Sequence, residues 1–351
     1  MTTQEFLGKQ EFTISSQTVS ESCPSNIALI KYWGKYDNQI PANPSISYTL
    51  NHCKTNTTLE FLAGEPFSVQ TFLAGNEEVK FAEKIEKYFK NIEQYLPWIL
   101  EGKYVIRTEN TFPHSSGIAS SASGFGAIAK CLMKIDDVFS DKTSDEESLK
   151  KASFLARLGS GSACRSLYDG LVVWGQSQVK GSSDLYAVKY PDDEIHEIFK
   201  DFNDWVLLIH EGQKTVSSTV GHGLMNTNPY AERRFLEARE NFGPMKEILE
   251  NGDLQSFIKL VEHEALTLHA MMMMSDPAFI LMKVGTLEVI NKVWDFRRET
   301  GLPLFFTLDA GANVHLLFPN AGSEEQIKSF IETELLQHTQ NNGVVKDVMK
   351  F

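Results

Sequence analysis

Apolar and polar residues alternate around Phe12–Val19, Ile46–Leu50 and Thr57–Phe61, the period-two pattern of half-buried β-strands. Phe81–Tyr95 instead repeats its apolar residues at helical spacing, and Tyr104–Asn110 reads as a strand running into a loop of small residues. Helical patterns follow over Gly124–Ile135 and Ser148–Leu158, then strands over Gly170–Gln176 and Ala187–Tyr190. The charged stretch Pro191–Asp204 contains Pro, Asp and Asn and is the expected joint between two halves, residues 1–200 and 201–351. Beyond it the pattern predicts a buried strand at Trp205–His210 and helices over Tyr230–Asn251, Leu254–Met274 and Ala278–Thr300. Strands at Phe305–Asp309 and Val314–Phe318 and a helix near Glu324–His338 complete it. Strands and helices come in blocks, which points to an α+β chain rather than a regular βαβ alternation. No internal repeat is visible, and the run Met271–Met274 is expected to pack in the core.

With 351 residues there is room for two ordinary domains, and 42% apolar with 23% charged residues is a globular composition. The net charge of −13 argues against a nucleic-acid or polyanion surface as partner, while leaving room for a local basic pocket. The N-terminus lacks the basic flank and apolar core of a signal peptide, and no uncharged apolar stretch is long enough to span a bilayer. The expectation is a cytoplasmic protein without a membrane partner. Cys23, Cys53, Cys131 and Cys164 are scattered without a C-x-x-C pair, so neither structural zinc nor a disulfide framework is expected. His263, Glu264 and His269 mimic a metal motif, but the two histidines are six apart, on helical faces that diverge by about 120°. They read as unrelated helix residues.

Four stretches can carry chemistry. Phe112–Ala127 reads F-P-H-S-S-G-I-A-S-S-A-S-G-F-G-A, small donor-rich residues opening into an apolar helix. Backbone N–H groups and a helix N-terminus hold phosphate where small side chains let the backbone approach. The segment is neither a Walker A motif nor a G-x-G-x-x-G fingerprint, and a capped surface turn would look the same. Lys31 and Lys35, in N-I-A-L-I-K-Y-W-G-K, would share a face if helical and could neutralise a polyphosphate, or be two solvated lysines. In Gly159–Ser166, G-S-G-S-A-C-R-S, Arg165 is placed to grip a carboxylate or phosphate bidentately, or to pair locally. No feature supplies Cys164 with a base, so its thiol reads as packing. Phe305–Asn313 ends an apolar strand in Asp309 and a glycine turn, where the carboxylate could deprotonate a hydroxyl or simply shape a turn. Together these are parts for placing a nucleoside triphosphate and a second anionic substrate around a reacting hydroxyl.

At these residues the chain resembles the superfamily of galacto-, homoserine, mevalonate and phosphomevalonate kinases, whose phosphate loop P-H-S-S-G-I-A-S-S-A-S resembles. Within it, N-I-A-L-I-K-Y-W-G-K, G-S-G-S-A-C-R-S, L-D-A-G-A-N and Lys214–Gly221 look specifically like the diphosphomevalonate decarboxylase family. The resemblance implies a two-domain small-molecule kinase fold. Its N-terminal half would be like ribosomal-protein S5 domain 2 and its C-terminal half ferredoxin-like, with the active site in the cleft between. It implies conversion of mevalonate 5-diphosphate to isopentenyl diphosphate, with ATP as co-substrate and Mg²⁺ bridging the ATP phosphates. By the same resemblance Asp309 orients or deprotonates the 3-hydroxyl, Lys31 neutralises charge there, and Arg165 holds the substrate carboxylate. Asn26 would bond near the reacting centre. Tyr32, Trp33, Gly34, Lys35, Ser160, Gly161, Ser162, Ala163, Cys164, Ser218 and Thr219 would line the substrate, mostly around its diphosphate. Pro113, Ser116, Gly117, Ile118, Ala119, Ser120, Ser121 and Ser123 would hold ATP. No protein metal cluster is implied; Ser120 or Ser121 would be the protein oxygens nearest the magnesium. A homodimer is the family expectation.

The chain departs from the family pattern in three places. Pro44 follows Asn43 where another Ser is usual, and His222 stands where Met is usual. After His269 only Asp276-Pro277 remain of an Asp-x-x-Pro-Pro-x-x-Tyr pattern. Three alternatives share these parts: a decarboxylase of mevalonate 5-phosphate, a kinase of the 3-hydroxyl, and a catalytically silent binding protein on the same fold. Retention of Asp309, Lys31 and Arg165 favours the diphosphate decarboxylase.

Overall fold

The computed structural model describes residues 3–9, 11–113, 118–140, 144–210, 212, 216 and 218–350, with backbone alone at Ser218, Thr219 and Lys350. Its first sheet is built on two long strands, β1 (Gln17–Ile30) and β2 (Ser45–Ala63), paired antiparallel along nearly their whole length. The remaining strands are β3 (Ser68–Leu73), β4 (Asn76–Glu77), β5 (Gly102–Asn110), β6 (Leu171–Trp174) and β7 (Ala187–Lys189). They follow the order β4-β3-β5-β2-β6-β7, with β1 on β2. Helices α1 (Val79–Ile92), α2 (Ser120–Phe139) and α3 (Asp145–Gly159) pack their apolar faces on the sheet through Ile85, Phe89, Phe125, Leu132 and Phe154.

The second sheet contains β8 (Asp201–Leu207), β9 (Phe305–Thr307), β10 (Val314–Pro319) and β11 (Val344–Lys350), all antiparallel in the order β11-β8-β10-β9. Between β8 and β9 run α4 (Ser218–Gly223), α5 (Ala231–Glu240), α6 (Phe242–Asn251), α7 (Leu254–Met273) and α8 (Val284–Thr300), and α9 (Glu324–Phe330) precedes β11. In chain order the strands stack fourth, first, third, second, with helices between the first and second and between the third and fourth. That is the split-βαβ arrangement of a ferredoxin-like layer. A shared core joins the two sheets, with Tyr48 and Leu50 meeting Phe199, Phe202, Phe257 and Met349. A buried carboxylate adds a polar tie: Asp347 on β11 accepts from the backbone N–H groups of Asn51, His52 and Cys53 on β2.

Several expected boundaries move, each for a physical reason. The first strand starts at Gln17 rather than Phe12 and continues through Ile30, so Asn26–Ile30 is strand and not helix. Its second half does not alternate because Cys23–Ile30 is covered on both faces. Ile46–Leu50 and Thr57–Phe61 are one strand; the polar Asn51–His52 interruption stays extended because Asp347 takes its N–H groups. The expected helix Tyr230–Asn251 is two helices, since Pro244 has no N–H to donate back to Glu240. The helix expected from Ala278 starts at Val284, and the one near Glu324–His338 widens to a π-turn at Ile331–Leu335. Asp201–Asp204, expected in a joint, is strand, with Asp204 buried against His315. Strands β3, β4 and β11 were not anticipated. Of the four methionines only Met272 is fully packed, while Met273 and Met274 are exposed. The four cysteines are free and buried.

Candidate active site

The site forms where β1 leaves the first sheet. Pro24 interrupts the ladder on β1, the register shifts between Pro24 and Asn26, and the bulge re-aims the next side chains. Asn26 bonds through Nδ2 to Ser166 Oγ at 2.7 Å and to the Ser162 carbonyl at 3.3 Å. Its Oδ1 accepts from Arg165 Nε at 3.2 Å. Arg165 lies in a tight turn, Gly161–Leu167, that follows α3, and it also donates through a terminal nitrogen to Ser45 Oγ. The guanidinium is buried, stands over the Trp174 ring, and has no carboxylate ion pair among the described residues. Burial pushes its pKa down despite the neighbouring Asp309 charge. An uncompensated buried ion costs several kcal/mol, so such an arginine is built for an anion that arrives from outside.

Lys31 follows directly after β1. The residue is 1% exposed, and its ammonium lies 3.2 Å from Asp309 Oδ1, in the turn after β9. Desolvation pushes the lysine pKa down, and the Asp309 carboxylate opposes it. Asp309 keeps about a quarter of its side chain open, 25% by area, so the pair presents its carboxylate outward. Lys31 and Lys35 do not share a helical face, because the segment turns at Gly34, whose φ is +96°. Lys35 is half-buried and donates to Gln39 Oε1 at 2.8 Å; burial lowers its pKa.

Aromatic rings wall the space beside these charges. Tyr32 meets Trp174 edge-on at 4.7 Å, and the His222 imidazole of α4 lies between the rings of Tyr32 and Trp33 at 4.4 and 4.5 Å. His222 Nδ1 accepts from the Gly34 N–H at 3.0 Å, and burial pushes the imidazole down to about 3, so it is neutral with its proton on Nε2. The Tyr32 hydroxyl is buried without a hydrogen-bond partner among the described residues and points at Gly161, where a Cβ would stand 2.7 Å from it.

On the other flank, α2 begins at Ser120, four residues earlier than expected, so Ser120, Ser121 and Ser123 form its first turn. Ala119 takes a left-handed conformation ahead of them. Ser121 is exposed and its Oγ lies 3.4 Å from Ser160 Oγ, which joins this turn to the Gly161 turn. Ser123 departs from expectation: its hydroxyl is buried against Thr55 Oγ1 at 2.6 Å and is spent within the protein. Ile118 is likewise buried, its carbonyl accepting from Ser25. Trp33, Ala163 and Cys164 are buried too, Ala163 and Cys164 with no exposed surface at all. Burial pushes the Cys164 thiol up to about 12, and it donates to the Gly161 carbonyl, as a packing residue would. Pro113 is exposed at the edge of the loop. Ser116, Gly117 and the Lys214, Thr215 and Ser217 positions lie outside the described residues, as do the side chains of Ser218 and Thr219.

The matches to known proteins bear on the same residues. Residues 23–187 match the diphosphomevalonate decarboxylase-like N-terminal domain, and residues 205–350 match the mevalonate 5-diphosphate decarboxylase C-terminal domain. The chain is 30% identical over 337 residues to the diphosphomevalonate decarboxylase of Saccharomyces cerevisiae, covering 90% of this chain and 81% of that one. It is 31% identical over 323 residues to that of Schizosaccharomyces pombe, covering 86% and 79%. The chain belongs to the diphosphomevalonate decarboxylase family. The mevalonate diphosphate decarboxylase of Staphylococcus aureus superposes with a TM-score of 0.81 at 30% identity, covering 95% of this chain and 96% of that one. A solved complex of MDDEF with MVAPP, AMPPCP and magnesium gives 0.80 at 27% identity, covering 95% and 97%. The two-domain α+β fold is therefore shared with the family.

Against that family background, Pro44 sits at the mouth of β2 under the Gly175 backbone, and the adjacent Ser45 supplies the hydroxyl that Arg165 uses. The histidines and Glu264 on α7 are not unrelated, as the spacing suggested. His263 pairs at the surface with Glu237, but Glu264 and His269 both reach the Lys31–Asp309 pair. No sequence motif marked them, nor Arg234 and Ser45, because their roles depend on packing between distant segments. Among the described residues no cluster of three His, Cys, Asp or Glu could hold a metal ion, and no helix is long and apolar enough to cross a membrane.

Proposed function

We propose that this chain converts mevalonate 5-diphosphate to isopentenyl diphosphate at the expense of ATP, releasing ADP, phosphate and carbon dioxide. The observation that carries this reading is the Lys31–Asp309 pair beside Arg165, a guanidinium without its own carboxylate among the described residues, in a chain of this family. The partly open Asp309 carboxylate takes the proton of the 3-hydroxyl as its oxygen attacks the γ-phosphorus of ATP and ADP leaves. Lys31 faces the charge that gathers on the transferred phosphoryl group. The C–O bond to the new phosphate then breaks, the phosphate taking the bonding pair. The electrons of the bond to the carboxyl carbon form the double bond, and carbon dioxide leaves. Arg165, fixed by Asn26 and Ser45, holds that carboxylate before it departs.

In this reading Tyr32, Lys35, Ser160, Ser162, Ser218 and Thr219 surround the diphosphate, with Trp33 and Gly34 shaping that wall and the turn of Gly161, Ala163 and Cys164 supporting it from behind. Magnesium arrives with ATP as part of the substrate, and the Ser120 and Ser121 hydroxyls and first-turn amides of α2 receive the phosphates. The working halves are residues 1–200 and 201–351. A cytoplasmic location and a homodimer belong to the same proposal; cell fractionation and sedimentation test them. The decisive experiment incubates purified protein with Mg-ATP and either mevalonate 5-diphosphate or 5-phosphate, following ADP and carbon dioxide separately. Equal yields of ADP and carbon dioxide from the diphosphate are expected. ADP without carbon dioxide makes the protein a 3-kinase, and turnover of the monophosphate alone changes the substrate.

A further inference from the structure

Two of the buried polar groups on helix α7 that the reaction above does not use are each bonded to the main chain of one member of the Lys31–Asp309 pair. Glu264 is fully buried, and its Oε2 accepts from the Lys31 N–H at 2.9 Å. The same carboxylate is gripped by Arg234 of α5 at 2.5 and 3.2 Å and by Asn241 Nδ2 at 2.6 Å. Arg234 reaches past it to the Lys31 carbonyl at 3.4 Å, which also accepts from Asn43 Nδ2 at 2.9 Å. Both polar groups of the Lys31 peptide are thus fixed by side chains. Five residues further along α7, about 7.5 Å along a helix axis, His269 Nε2 lies 3.1 Å from the Asp309 carbonyl. A carbonyl only accepts, so His269 carries its proton on Nε2 and donates it there.

We infer that α7 is a rigid spacer that sets the distance between Lys31 and Asp309, with Glu264, Arg234 and His269 as positioning residues acting through the backbone. The two reacting side chains come from segments 278 positions apart, and the strand that leads into Asp309, β9, pairs with β10. A helix backbone is stiff, so fixing both partners to it holds their separation through a catalytic cycle. A displacement of about 1 Å at a reacting group can cost on the order of 100-fold in rate, which gives a spacer of this kind its value. The inference rests on the proposed roles of Lys31 and Asp309.

The test separates the two. His269→Leu removes the donor to Asp309 and His269→Gln can restore one. His269→Leu is expected to lower kcat by about 10- to 100-fold, with KM for mevalonate 5-diphosphate and ATP within about twofold, and His269→Gln to recover most of it. For Glu264, the groups facing the Lys31 ammonium matter: Asp309, Glu264 and Arg165, with Arg234 beside the Lys31 carbonyl. Glu264→Gln removes a negative neighbour that favours the charged lysine, so the basic limb of the kcat–pH profile moves to lower pH. Arg234→Gln with Glu264→Gln removes both charges and returns the limb toward the native position; if the single variant does not fold, the His269 pair decides. Native kcat in His269→Leu, or a loss expressed wholly in KM, overturns the spacer. If Asp309→Asn keeps native turnover, the functional reading fails instead.

Discussion

Lys31 Nζ and Asp309 Oδ1 lie 3.2 Å apart, the ammonium sealed from solvent and the carboxylate partly open. Desolvation pushes the lysine pKa down, and that carboxylate is the chief influence opposing it. Asp309→Asn removes both the base and this support while keeping the shape. Turnover should fall by about 100- to 10,000-fold, while calorimetric binding of mevalonate 5-diphosphate changes little. Near-native turnover would remove Asp309 from the chemistry.

Arg165 should trade stability for binding. It is a buried ion whose bonds go to an amide and a hydroxyl rather than to a carboxylate. Arg165→Gln is expected to raise the melting temperature of the unliganded protein, because the cost of an uncompensated buried charge disappears. It should also abolish most of the further stabilisation that mevalonate 5-diphosphate confers. Arg165→Lys keeps the charge but loses the planar fork, so KM should rise without full recovery. A substitution that destabilises the free protein and leaves ligand stabilisation intact would make Arg165 structural.

These two residues were legible in the sequence because each sits in a dense local motif, and so was the blockwise α+β order. What stayed illegible depends on distant segments meeting. Asn51–His52 reads as a break between strands, and only Asp347, nearly 300 positions away, explains why it is extended. Asn26–Lys31 shows no alternation because both faces are covered, which local pattern cannot distinguish from a helix. Ser123 fits a phosphate loop by position, yet its hydroxyl turns inward to Thr55. Metal-ligand spacing does not reveal Glu264 and His269, because their partners are a backbone N–H and a backbone carbonyl.

His222 makes stability depend on pH. In the folded protein burial pushes its imidazole down to about 3, while the unfolded chain protonates near the ordinary value of 6.5. Below 6.5 the unfolded state therefore binds the extra proton, and stability falls as pH falls toward 3. One proton corresponds to about 1.4 kcal/mol per pH unit. His222→Met preserves volume and removes this proton. Between pH 6.5 and 5 the variant should lose about 1.6 kcal/mol less than the native protein in urea denaturation. Parallel losses in both proteins would show that the imidazole titrates freely.

Gly161 leaves the room that Tyr32 needs. A Cβ there would stand 2.7 Å from the Tyr32 hydroxyl and 2.9 Å from the Trp174 ring, too close for either to remain in place. Trp174 is fully buried, so Tyr32, beside the proposed diphosphate wall, is the group that must move. Gly161→Ala should raise KM for mevalonate 5-diphosphate about tenfold or more, while KM for ATP changes little. Tyr32→Phe removes the oxygen nearest the new methyl, and that hydroxyl has no hydrogen-bond partner to lose among the described residues. The double variant should therefore bind substrate better than the two single effects would give if they added. Simple additivity would mean that the Gly161 turn, and not Tyr32, bears the strain.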